Sequence, residues 1–215
     1  MMKKINKKRE PISLTQYKSQ RGAKYDGQDF TPVKNDIRSQ LLEEQGHLCA
    51  YCMMQIKSEN MKVEHFFSQC EFPEKQLHYN NMLGCCKGNE GSPRHSQTCD
   101  TKKGNSRLLY SPSNKHHNIE KKLKFLRSGE IKGCEEEFNE QINKVLNLNY
   151  SRLKDNRKAA LDAVLNDMSK RPGNRTKAEI NKYIEKYNSR KRDNKFYPYY
   201  GFVLYFLYKK LRAAH

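Results

Sequence analysis

Apolar residues at helical spacing predict a helix over residues 35–45, which Gly46 would terminate. The apolar face of this helix consists of Ile37, Leu41 and Leu42. Upstream, residues 1–33 are basic, contain several prolines and glycines, and show no sustained period. We expect this segment to be an irregular arm that lies over the domain or reaches a partner.

After the helix, the apolar runs become too short for helices. Residues 53–56 and 61–67 are two such runs, and the polar stretch between them predicts a hairpin of two strands. Residues 99–109 predict a turn that leads into a short helix. Strands followed by helices indicate an α+β fold.

From about residue 118 onward, the pattern predicts a series of helices. Their apolar positions are Ile119, Leu123 and Leu126; Phe138, Ile142, Val145 and Leu146; Leu153, Leu161, Val164, Leu165 and Met168; Ile180, Ile184 and Tyr187; and the run Phe202–Tyr208 in a last helix over residues 198–211. Asn174 or Thr176 would cap the fourth helix. The run Phe202–Tyr208 is apolar on all sides, which indicates deep burial or a protein interface.

The formal net charge of +18 is unevenly distributed. Residues 101–215 hold 27 Lys and Arg residues against 12 Asp and Glu residues, so this half carries +15 of the total. Such asymmetry favours a polyanionic partner, and nucleic acid is the most common one. The alternative is charge that serves only solubility.

Seven cysteines are present, and six of them lie within residues 49–99. No apolar run typical of a signal peptide follows the charged N-terminus, and the longest apolar stretch is too short to cross a bilayer. Clustered cysteines without a secretion signal favour metal binding in a reducing, cytoplasmic compartment over disulfides. We therefore expect a cytoplasmic protein that does not associate with membranes.

The cysteine spacing predicts a structural zinc site. Cys49 and Cys52 can bind one metal ion from a tight turn, and Cys99 with either Cys86 or Cys85 would complete four thiolates. The alternative is a set of buried cysteines that bind no metal.

Between these cysteines lies a set of residues suited to phosphodiester hydrolysis. His65 can take a proton from water near neutral pH, and the carboxamide of Asn81 can hold an imidazole in place. Glu64 and Asp100 are hard oxygen ligands for a divalent cation such as Mg²⁺. The competing interpretation is a structural histidine with two surface carboxylates. Because neighbouring strand residues point to opposite faces, a bend at the end of the strand would be needed to bring Glu64 and His65 together.

Two lysines close to Asp100 are candidate phosphate contacts. Lys103, and with a weaker argument Lys102, follow the predicted metal ligand within one helical turn. Solvated surface lysines are the alternative.

These motifs resemble the HNH (ββα-metal) nucleases in their zinc-stapled form. The segments Cys-Ala-Tyr-Cys, Glu-His-Phe, Asn-Met-Leu-Gly-Cys-Cys and Cys-Asp-Thr-Lys-Lys-Gly-Asn look most like the HNH subunits (PtuB) of Septu-type two-component anti-phage systems, which also occur beside retrons. The resemblance covers about residues 37–105. It implies a division into a basic N-terminal arm (1–33), an HNH core with structural zinc (34–110) and a basic helical domain (111–215).

The resemblance also implies a role for each matching residue. His65 takes the place of the general base and Asn81 that of the asparagine that orients it. Glu64 and Asp100 take the places of the ligands for catalytic Mg²⁺ or Mn²⁺. The zinc ligands would be Cys49, Cys52, Cys86 and Cys99. Two departures from the family pattern are the aspartate at the last motif position and the twelve residues between Cys86 and Cys99.

The implied function is a metal-dependent endonuclease of anti-phage defence that works with an ABC-type ATPase (PtuA-like) and cuts DNA or RNA. A catalytically inactive, zinc-containing subunit for nucleic-acid binding or assembly is the alternative, although such a subunit would have no need of the residues predicted for hydrolysis.

Overall fold

A computed structural model describes residues 2–214 and shows an α+β fold with two small antiparallel sheets. The helices in this range are α1 (Ile12–Lys18), α2 (Phe30–Gln45), α3 (Cys99–Lys103), α4 (Glu136–Glu140), α5 (Ser151–Ser169), α6 (Lys177–Asn188) and α7 (Tyr200–Ala213). The strands are β1 (Met61–His65), β2 (Met82–Cys86), β3 (Leu123–Phe125) and β4 (Ile131–Gly133).

Helix α2 confirms the predicted helix but begins five residues earlier, at Phe30. Phe30 and Val33 are buried and extend its apolar face by one turn. Pro32 lies in the first turn, where the missing N–H of a proline costs no helical hydrogen bond. At the other end, Gly46 adopts a left-handed conformation with φ of 58°, and a Cβ there would overlap the ring of Phe196.

Strand β1 does not pair with residues 53–56, so the predicted hairpin is wrong. It pairs instead with β2, and Glu64 lies opposite Leu83 while His65 lies opposite Met82. Residues 47–56 form a closed turn of their own, in which the N–H of Cys49 donates to the carbonyl of Met54 at 2.9 Å. The N–H of Ala50 in this turn donates to the carbonyl of Gly84 at 2.9 Å, so the turn is joined to β2 rather than to β1.

The helix predicted around Ile119, Leu123 and Leu126 is also wrong. A single 3₁₀ turn (Ile119–Lys122) leads into the hairpin of β3 and β4. Along β3 the two end residues are buried and the central Lys124 is exposed, which is the period of a strand. Gly129, with φ of 87°, forms the turn between these strands.

The remaining helices confirm the pattern of the C-terminal half. Helix α4 continues into a π-helical segment (Gln141–Val145), and the hydroxyl of Thr176 caps α6 by accepting from the N–H of Glu179 at 3.2 Å. Helix α7 buries most of its apolar run against α5 and α6, and Phe202 meets the ring of Phe125 edge-on at 5.4 Å. For the run Phe202–Tyr208, the structure therefore favours deep burial over a protein interface.

The N-terminal segment is more ordered than the predicted irregular arm, because it contains α1. Met2, Ile5 and Leu14 are buried in the same hydrophobic cluster as residues of α2 and α7. Among residues 2–214, no helix has both the length and the apolar character needed to cross a bilayer.

Candidate functional site

The chain brings four distant cysteines together in the interior. Cys49 and Cys52 come from the turn after α2, Cys86 ends β2, and Cys99 begins α3. Their four Sγ atoms lie within 4.8 Å of one another, and the Sγ atoms of Cys52 and Cys86 are 3.8 Å apart. Zinc–sulfur bonds of about 2.3 Å in a tetrahedron require sulfur–sulfur distances of about 3.8 Å. The cluster therefore fits Zn²⁺, and it includes Cys86 rather than its neighbour Cys85.

The thiols of this cluster are electrostatically linked. Burial raises the pKa of Cys49, but hydrogen bonds from the surrounding thiols together lower that pKa well below its usual value. Hydrogen bonding to Cys49 raises the pKa of Cys52 and of Cys99 well above the usual value. An ionised thiolate at Cys49 thus makes ionisation of Cys52 and Cys99 less favourable. A bound cation would stabilise several thiolates together.

Arg157, on α5, supports this region, although the sequence analysis had not selected it. Its side chain is buried, and its guanidinium donates to the carbonyls of Gly129 and Leu148, the latter at 2.7 Å. Burial lowers its pKa to about 10, while the nearby charges of Cys52 and Cys99 act in the opposite direction. Arg157 therefore joins three segments and supplies positive charge near the thiolates. The sequence does not indicate that this arginine is buried, because a single arginine in an amphipathic helix usually lies on the exposed face.

Replacing Arg157 with methionine is expected to lower the free energy of unfolding by about 3 kcal/mol, because two buried carbonyls would lose their donor. Urea denaturation measures this change. Lys158→Met is the matched control, since Lys158 is the next residue of the same helix, is exposed and pairs only with Asp162; it should change the stability by no more than about 0.5 kcal/mol. Equal effects of the two substitutions would contradict the role assigned to Arg157.

Two carboxyl groups meet beside the cysteine cluster. Glu64 of β1 is buried, and Asp100 is the second residue of α3. Burial first, and then a hydrogen bond and charge repulsion from Asp100, raise the pKa of Glu64 well above its usual value. Paired carboxyl groups that share a site in this way are suitable ligands for a hard divalent cation.

Lys103 and Tyr51 complete the surroundings of Glu64. The ammonium of Lys103 is 2.8 Å from Glu64 Oε1 and also donates to the carbonyl of His65 at 3.2 Å. The hydroxyl of Tyr51 donates to the same carboxylate oxygen at 3.0 Å. Lys103 is only 1% exposed. The structure thus places this lysine inside the carboxylate cluster, whereas Lys102 lies near the surface and donates to the carbonyl of Arg94.

His65 ends β1 next to Glu64, and both of its ring nitrogens are engaged. Nε2 is 2.9 Å from the carbonyl oxygen of Gln76, so this nitrogen carries the proton. Nδ1 is then the acceptor and lies 3.1 Å from the side-chain nitrogen of Gln69, which is exposed. Burial lowers the pKa of His65. The charge of Asp100 raises this pKa and the charge of Lys103 lowers it. The ring is therefore neutral at pH 7, with Nδ1 as its basic atom.

Asn81 lies at the other end of the loop between β1 and β2. Its carboxamide accepts from the N–H of Phe67 at 2.8 Å and donates to the carbonyls of Phe67 and Lys75. It makes no hydrogen bond with the imidazole of His65 among the described residues. Asn81 instead fixes the loop whose residues Gln69 and Gln76 contact that ring. These two glutamines have no distinctive spacing in the sequence, so the prediction did not include them.

No family model matches the sequence. An alignment of 93 positions, which covers 41% of this chain, shows 31% identity to a protein of Vibrio cholerae serotype O1 biovar El Tor named "Retron Vc95 putative HNH endonuclease". The matched region spans 43% of that protein, which is less than half of its length. The similarity supports a relationship to the HNH nucleases and to a retron-associated protein.

Proposed function

We propose that this chain is a metal-dependent endonuclease of the HNH type that hydrolyses phosphodiester bonds in nucleic acid. One observation carries the proposal: β1, β2 and α3, held by the four-cysteine cluster, place a neutral histidine next to a pair of carboxyl groups, of which Glu64 is buried and Asp100 is partly exposed. The similarity to a protein named as an HNH endonuclease supports the same class of reaction.

His65 is the general base in this proposal. The carbonyl of Gln76 holds the proton on Nε2, so the lone pair of Nδ1 is directed away from it and can accept a proton from water. The side chain of Gln69 covers Nδ1 and has to rotate away before water can reach it. Because Gln69 is exposed and is held there by a single hydrogen bond to the ring, this rotation requires no rearrangement of the backbone.

Glu64 and Asp100 are the proposed ligands for catalytic Mg²⁺ or Mn²⁺, and the burial of Glu64 and the repulsion between the two carboxyl groups fit such a role. A divalent cation bound by these two carboxylates would supply positive charge to offset the negative charge that develops in the hydrolysis of a phosphodiester. Lys103 keeps one positive charge on Glu64, and Tyr51 fixes the position of that carboxylate. Asn81 has a positioning role, because it holds the loop around His65.

An anti-phage role with an ABC-type ATPase partner is the proposed biological setting. Its support is the retron name of the relative, together with the resemblance of the motifs in residues 37–105 to those of Septu-type subunits. The test is affinity purification of the tagged chain after co-expression with an ATPase encoded beside it. Recovery of the ATPase in a fixed ratio is expected, and its absence from the eluate would contradict the partnership.

A second function is favoured by one contact. The ammonium of Lys103 neutralises the charge of Glu64 without a metal ion. This arrangement fits a non-catalytic subunit for nucleic-acid binding or assembly, which needs no catalytic cation. Incubation of the purified chain with DNA and RNA, with and without added Mg²⁺ or Mn²⁺, separates the two. Cation-dependent cleavage is expected for the nuclease, whereas binding without cleavage would favour the second function.

The Asp100→Asn variant is expected to lose cation-stimulated cleavage by about 10²-fold or more, because one of the two charged ligands is removed. Mn²⁺ binding, measured by calorimetry, should weaken in parallel, while the zinc content is unchanged. Asp162→Asn, which alters an exposed carboxylate paired with Lys158, is the control and should behave as wild type. Unchanged Mn²⁺ affinity in Asp100→Asn would remove Asp100 from the cation site.

A further inference from the structure

A cavity of about 630 Å³ opens beside the loop that follows His65. Its walls come from the N-terminal residues 4–7, the loop between β1 and β2, and residues 111–117. Four lysines and three histidines line it, and none of the described residues on its walls is an aspartate or a glutamate. The volume lies within the range of about 300–1,000 Å³ that is typical of ligand pockets. We name this cavity the Phe67 cleft.

The Phe67 cleft is lined by residues that directly follow His65 in the chain. Phe66 and Phe67, which line it, are the two residues after His65. Asn81 also lines the cleft and holds Phe67 in place through both backbone atoms, the N–H and the carbonyl. A ligand in the cleft would therefore lie next to the end of β1, where the proposed reaction takes place.

An exposed aromatic ring lies at the wall of the cleft. Phe67 is 39% exposed, although its ring packs edge-on against Phe66 and Phe72. The ammonium of Lys75 is 4.0 Å from the centre of the Phe67 ring and 4.4 Å from that of Phe72. Because the ammonium of Lys75 lies over the Phe67 ring, a nucleobase would stack on the opposite face or displace this ammonium, which could then bind the adjoining phosphate.

Three of the four lysines that line the cleft have no carboxylate partner for their ammonium groups among the described residues. Lys4, Lys75 and Lys115 form no ion pair through their ammonium groups within residues 2–214, whereas the ammonium of Lys7 is held by Glu44 at 3.0 Å. Three ammonium groups without carboxylate partners favour an anionic ligand. The aromatic wall also favours a ligand with a flat ring. A nucleotide has both the negative charge and the flat ring.

A second cavity of about 550 Å³ continues the first. The two share Lys7, His78 and Asn80, and the second adds Lys8, Arg9 and Lys18. Glu10 also lines the second cavity and pairs with Lys18, while Lys8 pairs with Glu43, so Arg9 adds the charge that is not paired with a carboxylate among the described residues. The resulting basic track is longer than one pocket, which favours a chain of phosphates over a single free nucleotide. A base can stack on an aromatic side chain only when it is unpaired, so the track fits a single strand.

We propose that the Phe67 cleft binds an unpaired nucleotide of a nucleic-acid strand, with its base on the ring of Phe67 and its phosphates near Lys4, Lys75 and Lys115. This inference rests on the proposed nuclease function, since it names the form of substrate that the same site would take. It assigns the N-terminal segment and the loop between β1 and β2 to substrate binding.

Fluorescence anisotropy with a labelled 12-nucleotide oligothymidylate, without added divalent cation, tests the cleft independently of cleavage. Phe67→Ala should weaken binding roughly tenfold, which corresponds to the loss of one stacked base. Phe67→Tyr should restore most of the affinity. Tyr208→Ala, which removes a similarly exposed aromatic ring from α7, is the matched control and should bind as wild type. Wild-type affinity in Phe67→Ala would overturn the proposal.

The charge and the form of the ligand are tested in the same assay. The triple substitution Lys4→Gln, Lys75→Gln and Lys115→Gln should reduce the slope of log affinity against log salt by about 2, at about 0.7 for each lost phosphate contact. Lys124→Gln, on the exposed side of β3, should reduce it by less than one contact. Equal affinity for a 12-base-pair duplex, or for thymidine monophosphate, would overturn the assignment to a single strand.

Failure of the two proposals is distinguishable. If the wild type binds the oligothymidylate through Phe67 but cuts no nucleic acid when cation is added, the nuclease function is wrong and the cleft assignment stands. If the wild type cuts nucleic acid but Phe67→Ala binds and cuts as well as the wild type, only the cleft assignment is wrong.

Discussion

Replacing His65 with alanine is expected to reduce the rate of nucleic-acid cleavage by about 10²–10⁴-fold, because the proposed reaction would lose its proposed general base. The ring lies between the carbonyl of Gln76 and the side chain of Gln69, so its removal leaves the backbone of β1 in place. The rate should be measured with a labelled oligonucleotide in the presence of Mn²⁺, at equal concentrations of variant and wild type.

The control for this substitution is His95→Ala. His95 is exposed and its carbonyl, rather than its ring, accepts a hydrogen bond from Asn147, so the side chain can be removed without loss of that contact. Both variants should retain their zinc and their circular dichroism spectrum. Cleavage by His65→Ala at the rate of His95→Ala would show that another group activates the water.

Replacing Cys52 with serine is expected to prevent stable folding. The four cysteines join the turn after α2, the end of β2 and the start of α3, and in a zinc site of this kind metal binding supplies folding free energy directly. In zinc-finger peptides that contribution is about 10–16 kcal/mol, which is comparable to the whole stability of a domain. We expect the variant to be recovered without zinc and as aggregates or as an unfolded chain.

Cys70→Ser is the matched control, because Cys70 is an exposed free cysteine outside the cluster. It should retain one zinc ion per chain and the melting temperature of the wild type. Elemental analysis of protein purified without chelator gives the metal content of both variants. A Cys52→Ser protein with wild-type melting temperature would exclude a structural metal at this cluster.

The elements that the sequence predicted correctly are those set by local rules. Gly46 ends α2 because a left-handed residue is needed there, and Thr176 begins α6 because its hydroxyl accepts from the third residue of the helix. The four-cysteine cluster was predicted from spacing, and the choice between Cys85 and Cys86 required the three-dimensional positions. The division into three domains and the roles of the site residues remain predictions.

The elements that the sequence missed depend on contacts between distant residues. Strand β1 pairs with a strand that begins at Met82, across a loop held by Asn81, and no local pattern selects that partner over residues 53–56. The spacing of Leu123 from Ile119 and Leu126 fits a helix, whereas its spacing from Phe125 fits a strand, and so short a segment does not distinguish the two. Lys103 looks like a surface lysine in sequence, and only the packing of α3 shows that its ammonium meets Glu64.

The most direct test of the proposed hydrolysis is the origin of the oxygen in the product. An oligonucleotide should be cleaved by the wild-type chain with Mn²⁺ in water enriched in oxygen-18, and the product ends analysed by mass spectrometry. If His65 activates water, each cut leaves one oxygen-18 atom in the new terminal phosphate. Absence of cleavage of both DNA and RNA, or cleavage of RNA to a cyclic phosphate without oxygen-18, would contradict the account.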